Sequence, residues 1–316
     1  MLDVAAYLAF FFVLALYYAL ICLGLNLQWG VTGLFNVGVA GFVAVGAYTS
    51  ALLTGPDYPG WGGLGLPVAV GWLGAMATAA GCALVVGAVT LRLRHDYLAI
   101  ATFGIAVTIQ LVALNFARLT GGPFGVHSIP RPFVGLFARP VFYNVAYLVL
   151  VAAVVALAYL ALERLVRSPW GRVLRGLRED EVAAAALGKS PHRYRLEAFV
   201  LGSALMGLAG AVYAHFVGYI APEDFLPILT FQVWTMLIVG GSGNNRGALL
   251  GGGLVWALWS GSGALLTAVT PQAMQARAAA LQVVLIGVVL AAVLVVRPRG
   301  LLGEEAVVSR HARLEG

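Results

Sequence analysis

Apolar residues along this chain fill long runs, and the polar residues that separate those runs are confined to short segments. Neither signature of a water-soluble element prevails: no sustained apolar stripe every three or four residues, and no strict alternation. A helix needs about 20 apolar residues to cross the hydrocarbon core of a bilayer. Nine stretches are candidates: 4–27, 33–53, 66–90, 97–117, 143–162, 197–217, 227–243, 247–268 and 279–297. The pattern predicts an all-α, polytopic transmembrane helix bundle of eight or nine spans. The seventh stretch is short and bordered by Pro227 and Gly240–Gly241, so it reads either as a span or as a re-entrant or broken helix. The first has no basic residues ahead of it and is too long for the apolar region of a signal peptide, so it reads as a retained span.

The polar segments set an expected orientation, because loops rich in arginine and lysine stay cytoplasmic. Arg92 and Arg94 follow the third run. Arg164, Arg167, Arg172, Arg175, Arg178, Lys189, Arg193 and Arg195 follow the fifth, and Arg297, Arg299, Arg310 and Arg313 follow the last. Nine spans with the N-terminus outside place all three clusters, and the C-terminus, in the cytoplasm. Arg118, Arg131 and Arg139 then fall on an outer segment. The expected organisation is a membrane domain over 1–303, with a cytoplasmic loop at 163–196, followed by a short cytoplasmic tail at 304–316.

Composition narrows the picture. Of 316 residues, 61% are hydrophobic and 10% charged, against about a quarter charged in soluble domains. The formal net charge is +6, but the arginines flank apolar runs and form no independent basic domain. Lipid is therefore the expected partner and nucleic acid is not. Cys22 and Cys82 lie in apolar stretches and read as small core hydrophobes. The histidines show no ligand spacing, and no nucleophile–base pair or paired carboxylates point to an enzyme, so neither a metal nor a cofactor is expected.

Glycine occurs 40 times, much of it inside the runs: Gly33, Gly38, Gly41 and Gly46 in the second, with a similar density in GALLGGGLVWALWSGSGALL. Small residues let helix backbones approach closely in lipid; lining a pathway is the sharper alternative. No Asp or Glu sits well within a predicted span, since Asp3, Glu163 and Glu197 are at edges and Asp57, Asp96, Glu223 and Asp224 belong to loops. An ion-coupled carrier often retains such a carboxylate despite its cost of roughly 2.5–3.5 kcal/mol. A stand-alone secondary carrier is thus disfavoured, and energy for transport would enter outside the spans. The neutral polar residues read mainly as interhelical hydrogen-bond partners. Asn36, Gly41, Thr102 and Gln110 are the candidates for a substrate path, the two amides because an amide in lipid needs a partner or a wet cavity.

The loop at 163–196 is far longer than joining two helices requires. Its centre, REDEVAAAALGKSP, predicts a short helix: Glu179, Asp180 and Glu181 at the start, alanines and Leu187 to propagate it, Gly188 for a left-handed end and Pro191 to stop it. Gly188-Lys189-Ser190 imitates the end of a phosphate-binding loop. The motif requires Gly where Ala183 stands and a preceding strand, so it is rejected as a nucleotide site.

With these pieces assembled, RVLRGLREDEVAAAALGKSPHRYRLEAFVLGSALMGLAGAVYA resembles the coupling loop and following span of branched-chain amino-acid ABC importer permeases of the LivM type. GLNLQWGVTGLFNVGVAGFVAVGAY, LRLRHDYLAIATFG with LTGGPFGVHSIPRP, and FQVWTMLIVGGSGNNRGALLGG agree in the expected order. The resemblance implies two pseudo-symmetric sets of helices and the permease subunit of an ATP-driven importer in the cell inner (plasma) membrane. It implies a second permease, two cytoplasmic ATPases and an extracytoplasmic solute-binding protein as partners. Glu181, Ala183, Ala184 and Gly188 match the family's coupling signature, which makes Arg178 to Gly188, with Glu179 and Asp180, the expected point of ATPase contact. Ala106-Val107-Thr108 stands where the family usually carries an acidic residue, and GGSGNNRG has an insertion-like Asn-Asn-Arg. Urea-type permeases share the pattern and supply the alternative substrate class.

Overall fold

A computed structural model of the chain describes residues 2–56, 63–93, 95–135, 140–271 and 274 and, with interruptions, 281–304. Its helices follow the apolar runs: α1 (Leu2–Asn26), α2 (Val39–Thr54), α3 (Val68–Thr90), α4 (His95–Asn115), the short α5 (Ala117–Thr120), α6 (Pro140–Arg167), α7 (Pro169–Glu179), α8 (Glu181–Ala186), α9 (Pro191–Val217), α10 (Pro227–Gly240) and α11 (Asn245–Val269). Among the described residues six helices are long and apolar enough to cross a membrane, namely α1, α3, α4, α6, α9 and α11. The ninth apolar run, 279–297, is described only with interruptions, and Arg94, Arg139, Arg310 and Arg313 fall outside the described residues.

The second run is corrected. It is not one helix from residue 33: α2 begins only at Val39, and Gly33 and Gly38 precede it. α1 instead continues through a π-helical turn, Leu27–Val31, and Gly33 then takes φ +76°, which only glycine adopts without cost. The seventh run forms α10, which has 14 residues and fits the broken-helix alternative. At 1.5 Å per residue, α2 and α10 reach only about 24 and 21 Å. The fifth and sixth helices run past their apolar cores, α6 through Glu163 and Arg164 and α9 backwards through His192–Arg195.

α1 and α9 are antiparallel: the Gln28 amide at the far end of α1 donates to the Phe199 carbonyl near the start of α9, while Phe10 packs on Phe216. Each is followed by an irregular segment and then a short helix, α2 after α1 and α10 after α9. These two short helices also run in opposite directions, since Thr230 accepts from the Ala40 N–H and Phe225 packs on Tyr48. The result is an inverted pair of long–short units, as the resemblance implies.

α9 packs against α1, α2 and α3 and is buried along most of residues 198–216. Backbone contact is what its small residues provide. A Cβ on Gly210 would lie 2.1 Å from the Val43 carbonyl oxygen, one on Gly46 2.1 Å from that of Gly207, and Gly24 and Gly202 each face the other's carbonyl. The same device joins α10 to α11, where Gly251 faces the Met236 carbonyl. Gly253 and Gly261 have open space, so the glycine-rich eleventh helix uses only part of its glycine for packing.

The bundle's two ends differ. At one, Arg92, the loop between α6 and α9, and the segment around Glu304 lie together, so described members of all three basic clusters share an end. At the other, a two-residue ladder pairs β1 (Val126–His127) with β2 (Tyr219–Ile220), and Arg131 donates to the Val217 carbonyl. The outer segment is thus tied down on α9. Replacing Gly210 by Val should collapse the yield of monodisperse protein and lower its melting temperature in detergent, because overpacking costs about 1–3 kcal/mol even where side chains alone must move. Gly253→Val should leave both near the parent's values.

Candidate functional site

The loop from Glu163 to Leu196 is built as two helices. α7 opens on Pro169, whose missing N–H costs nothing at that position, and buries Gly171, Leu174 and Leu177 while Arg172 stays exposed. This helix was not anticipated, although Trp170, Leu174 and Leu177 recur at helical spacing. The single acid-started helix expected from Glu179 is corrected accordingly: Glu179 ends α7, and Asp180 leaves helical geometry at φ −149°. The Asp180 carboxylate accepts from the N–H groups of Val182 (2.9 Å) and Ala183 (3.0 Å), satisfying donors that α8 leaves open. At the other end Gly188 takes φ +77°, the left-handed conformation expected of it, and Pro191 begins α9. Gly188-Lys189-Ser190 therefore joins two helices, with no strand before it.

The coupling candidates point in different directions. Glu181 turns back to the bundle and pairs with Arg195 of α9 at 2.9 Å. Ala184 is buried, whereas Ala183 is exposed. Outward stand Val182 and Leu187, 80% and 81% exposed. Both were missed as site residues; the available signal was two apolar side chains in a stretch, 178–187, otherwise made of alanine and charge.

Arg178 is the junction of this end. Its guanidinium donates to the Gly30 carbonyl in the turn after α1, to Glu304 at 2.7 Å and to Glu179 at 2.8 Å, and its Cγ lies 3.0 Å from where a Gly33 Cβ would be. Burial alone would lower the group; its hydrogen bonds to Glu179 and Glu304 outweigh this and raise it above its ordinary value. Nearby, Asn26 accepts from the Gly243 N–H (2.8 Å) and donates to Asn245 (2.9 Å), which in turn donates to Glu163 (2.9 Å). Asn244 caps α11 through the Arg246 N–H. The Asn-Asn-Arg insertion thus serves the α10–α11 turn and its neighbours at the end of the bundle.

Three of the path candidates come together. Asn36 is fully buried and paired: it donates to Gln28 (2.7 Å), accepts from the Gly38 N–H (2.7 Å), and its carbonyl accepts from Trp234 (2.9 Å). Gln28 passes the chain on to Ser203 at 3.0 Å. Thr102 accepts from the Val37 N–H (3.0 Å), and Gly41 lies against Ala106, where a Cβ would be 2.9 Å from its Cα. Gln110 sits two turns along α4 from Thr102, half-buried and without a hydrogen-bond partner among the described residues. A further buried pair was also missed: the Ser50 hydroxyl lies 2.8 Å from His215 Nε2, and His215 Nδ1 lies 2.7 Å from the Pro130 carbonyl. The carbonyl can only accept, so Nδ1 carries the proton and Nε2 accepts from Ser50, bracing α2 and the outer segment on α9. Among the described residues no His, Cys, Asp and Glu cluster could hold a metal ion.

Comparison with known proteins follows the same lines. Residues 7–294 match the family described as branched-chain amino acid transport system / permease component. The chain is 38% identical over 259 residues to the high-affinity branched-chain amino acid transport system permease protein LivM of Escherichia coli, covering 75% of this chain and 59% of that one. It is 29% identical over 249 residues to the corresponding permease protein LivH of the same organism, covering 74% and 78%. A guanosine ABC transporter permease protein, NupQ of Bacillus subtilis, is 28% identical over 225 residues, covering 64% and 68%. The chain therefore spans under two thirds of the length of the LivM proteins of Escherichia coli and Salmonella typhimurium. No solved structure matches it.

An added Cβ at Gly188 meets nothing within 4 Å, so a side chain there is opposed by backbone conformation alone. Gly188→Val should cost about 1–2 kcal/mol locally, read as faster amide exchange over 181–189 with unchanged exchange over 198–216. Gly188→Asn should recover most of the protection.

Proposed function

Because the chain belongs to the branched-chain amino acid transport permease family, we propose that it is the membrane subunit of an ATP-driven importer that passes branched-chain amino acids into the cell. The chain is a multi-pass membrane protein and a component of the transporter type its relatives represent. The observation that carries the mechanism is the division of labour on α8. Val182 on α8 and Leu187 at its C-terminal cap offer exposed apolar side chains to a partner, while Glu181 and Arg195 strut the helix to α9.

In this reading the basic end faces the cytoplasm and the N-terminus lies outside, since loops rich in arginine stay on the cytoplasmic side. Two ATPase subunits act on the permease pair, one docking on the Val182–Leu187 face of this chain. Their motion reaches the bundle by two routes: through Glu181–Arg195 to α9, and through Arg178 to the turn after α1 and to the segment around Glu304. A second permease completes the membrane path, and a solute-binding protein delivers substrate to the outer end, where residues 126–131 are braced on α9. Gln110, an amide without a partner on α4, faces the path; Asn36, Gly41 and Thr102 shape the irregular segment beside it. Branched-chain substrates are favoured over nucleosides by the higher identity to LivM than to the guanosine permease, 38% against 28%, and urea-type amides are the alternative substrate class.

Burying a large aliphatic side chain contributes about 1.5–3 kcal/mol. Val182→Glu with Leu187→Glu should therefore reduce copurification of the ATPase subunits at least tenfold while the permease still inserts. Undiminished copurification would sink α8 as the docking helix. Arg178→Gln should retain docking and ATP hydrolysis in proteoliposomes but lose most of the leucine uptake per ATP. Ion-gradient-driven uptake by this chain alone would overturn the whole reading.

A further inference from the structure

At the basic end of the bundle, the end of α6, the start of α7 and the α10–α11 turn line a cavity of about 590 Å³. Arg167, Arg172, Arg175 and Arg246 line it, with Glu163 and Glu304. Both carboxylates are engaged: Glu163 with Arg167 (2.6 Å) and Asn245 (2.9 Å), and Glu304 with Arg178 (2.7 Å), which is not in the lining. Arg175 gives one nitrogen to the Val166 carbonyl at 3.0 Å, and Arg246 Nε reaches the Tyr159 hydroxyl at 3.4 Å. The Arg172 guanidinium has no hydrogen bond or ion pair among the described residues. Among the described residues four guanidinium groups and two carboxylates line the concavity, so arginine predominates there. Guanidinium groups bind phosphate oxygens through paired, charge-assisted hydrogen bonds, and the Arg172 guanidinium has no such partner among the described residues.

The surroundings of the cavity identify where such an anion comes from. Arg246, Leu250 and Leu254 lie four residues apart on one face of α11, and both leucines are exposed. On α6, Leu160 precedes Glu163 by three residues and is 50% exposed. An apolar track along the membrane surface of the bundle thus leads directly into a basic pocket at its end. That is the shape of a lipid: acyl chains along leucines, and a phosphate among arginines.

We propose that this cavity is a binding site for the phosphate headgroup of an anionic phospholipid, with an acyl chain along Leu250 and Leu254. The proposal rests on the chain spanning a membrane and not on its coupling to an ATPase, so the two readings fail separately.

The test uses the purified full-length chain in a neutral detergent. Phosphatidylglycerol, phosphatidylcholine and inorganic phosphate are titrated while the melting temperature is followed, and phosphatidylglycerol binding is counted by native mass spectrometry. Phosphatidylglycerol should stabilise the protein at concentrations where phosphatidylcholine does not. Arg172→Gln should weaken its binding about fivefold, the worth of one arginine at a charged surface, and Arg172→Gln with Arg246→Gln further still. Arg164→Gln with Arg118→Gln, which removes the same charge elsewhere, should bind like the parent. Equal effects of the two lipids, or unchanged binding in the Arg172 variants, would overturn the site. Equal stabilisation by inorganic phosphate would assign the pocket to a soluble anion and overturn the lipid reading.

Discussion

Everything in this bundle depends on how closely three helices approach α9. In lipid there is no hydrophobic drive to bring one helix to another, so association rests on van der Waals contact and on polar groups that find partners. Gly24, Gly46, Gly202, Gly207 and Gly210 remove side chains where α1, α2, α3 and α9 cross, and carbonyl oxygens occupy the vacated space. The close approach also brings buried polar side chains within reach of one another, so Gln28 reaches both the Phe199 carbonyl and Ser203. Widening the crossings would break these hydrogen bonds as well as the packing.

That tight centre permits irregular backbone at membrane depth. Residues 32–38 have N–H and carbonyl groups that no helix satisfies, and lipid offers none in exchange. Asn36, Thr102, Thr230 and Trp234 take up that role, binding the N–H groups of Val37, Gly38 and Ala40 and the carbonyl of Asn36. The irregular segment leaves α1 by the turn that Arg178 holds, through the Gly30 carbonyl. A displacement of α7 therefore acts where the backbone is least constrained by helical hydrogen bonds.

Much of this was legible from residue order. Run length gave most of the helices, and the described members of the three arginine clusters lie at one end of the bundle. Gly188 and Pro191 marked the end of α8 because only one backbone conformation suits that turn. Run length could not show that residues 33–38 are unwound, since the segment is as apolar as a helix; the difference lies in partners 65 to 198 residues away in sequence. For the same reason residue order gave α8 but not its orientation: that Glu181 faces inward and Val182 outward depends on Arg195, a contact set by tertiary packing. Asn36 shows the limit most clearly. A buried amide invites assignment to a substrate, yet its Nδ2 and Oδ1 each already bond the chain itself, through Gln28 and the Gly38 N–H.

The bond between Arg178 and Glu304 also bears on the order of events during synthesis. Residues 30 and 178 leave the ribosome long before residue 304, so α1 to α9 can enter the bilayer while the guanidinium still lacks this carboxylate. Until Glu304 arrives, Arg178 retains only the exposed Glu179 and a carbonyl as partners. Membrane insertion and completion of this end of the bundle are therefore separate stages, and quality control that monitors insertion alone would pass chains in which the second has not yet taken place.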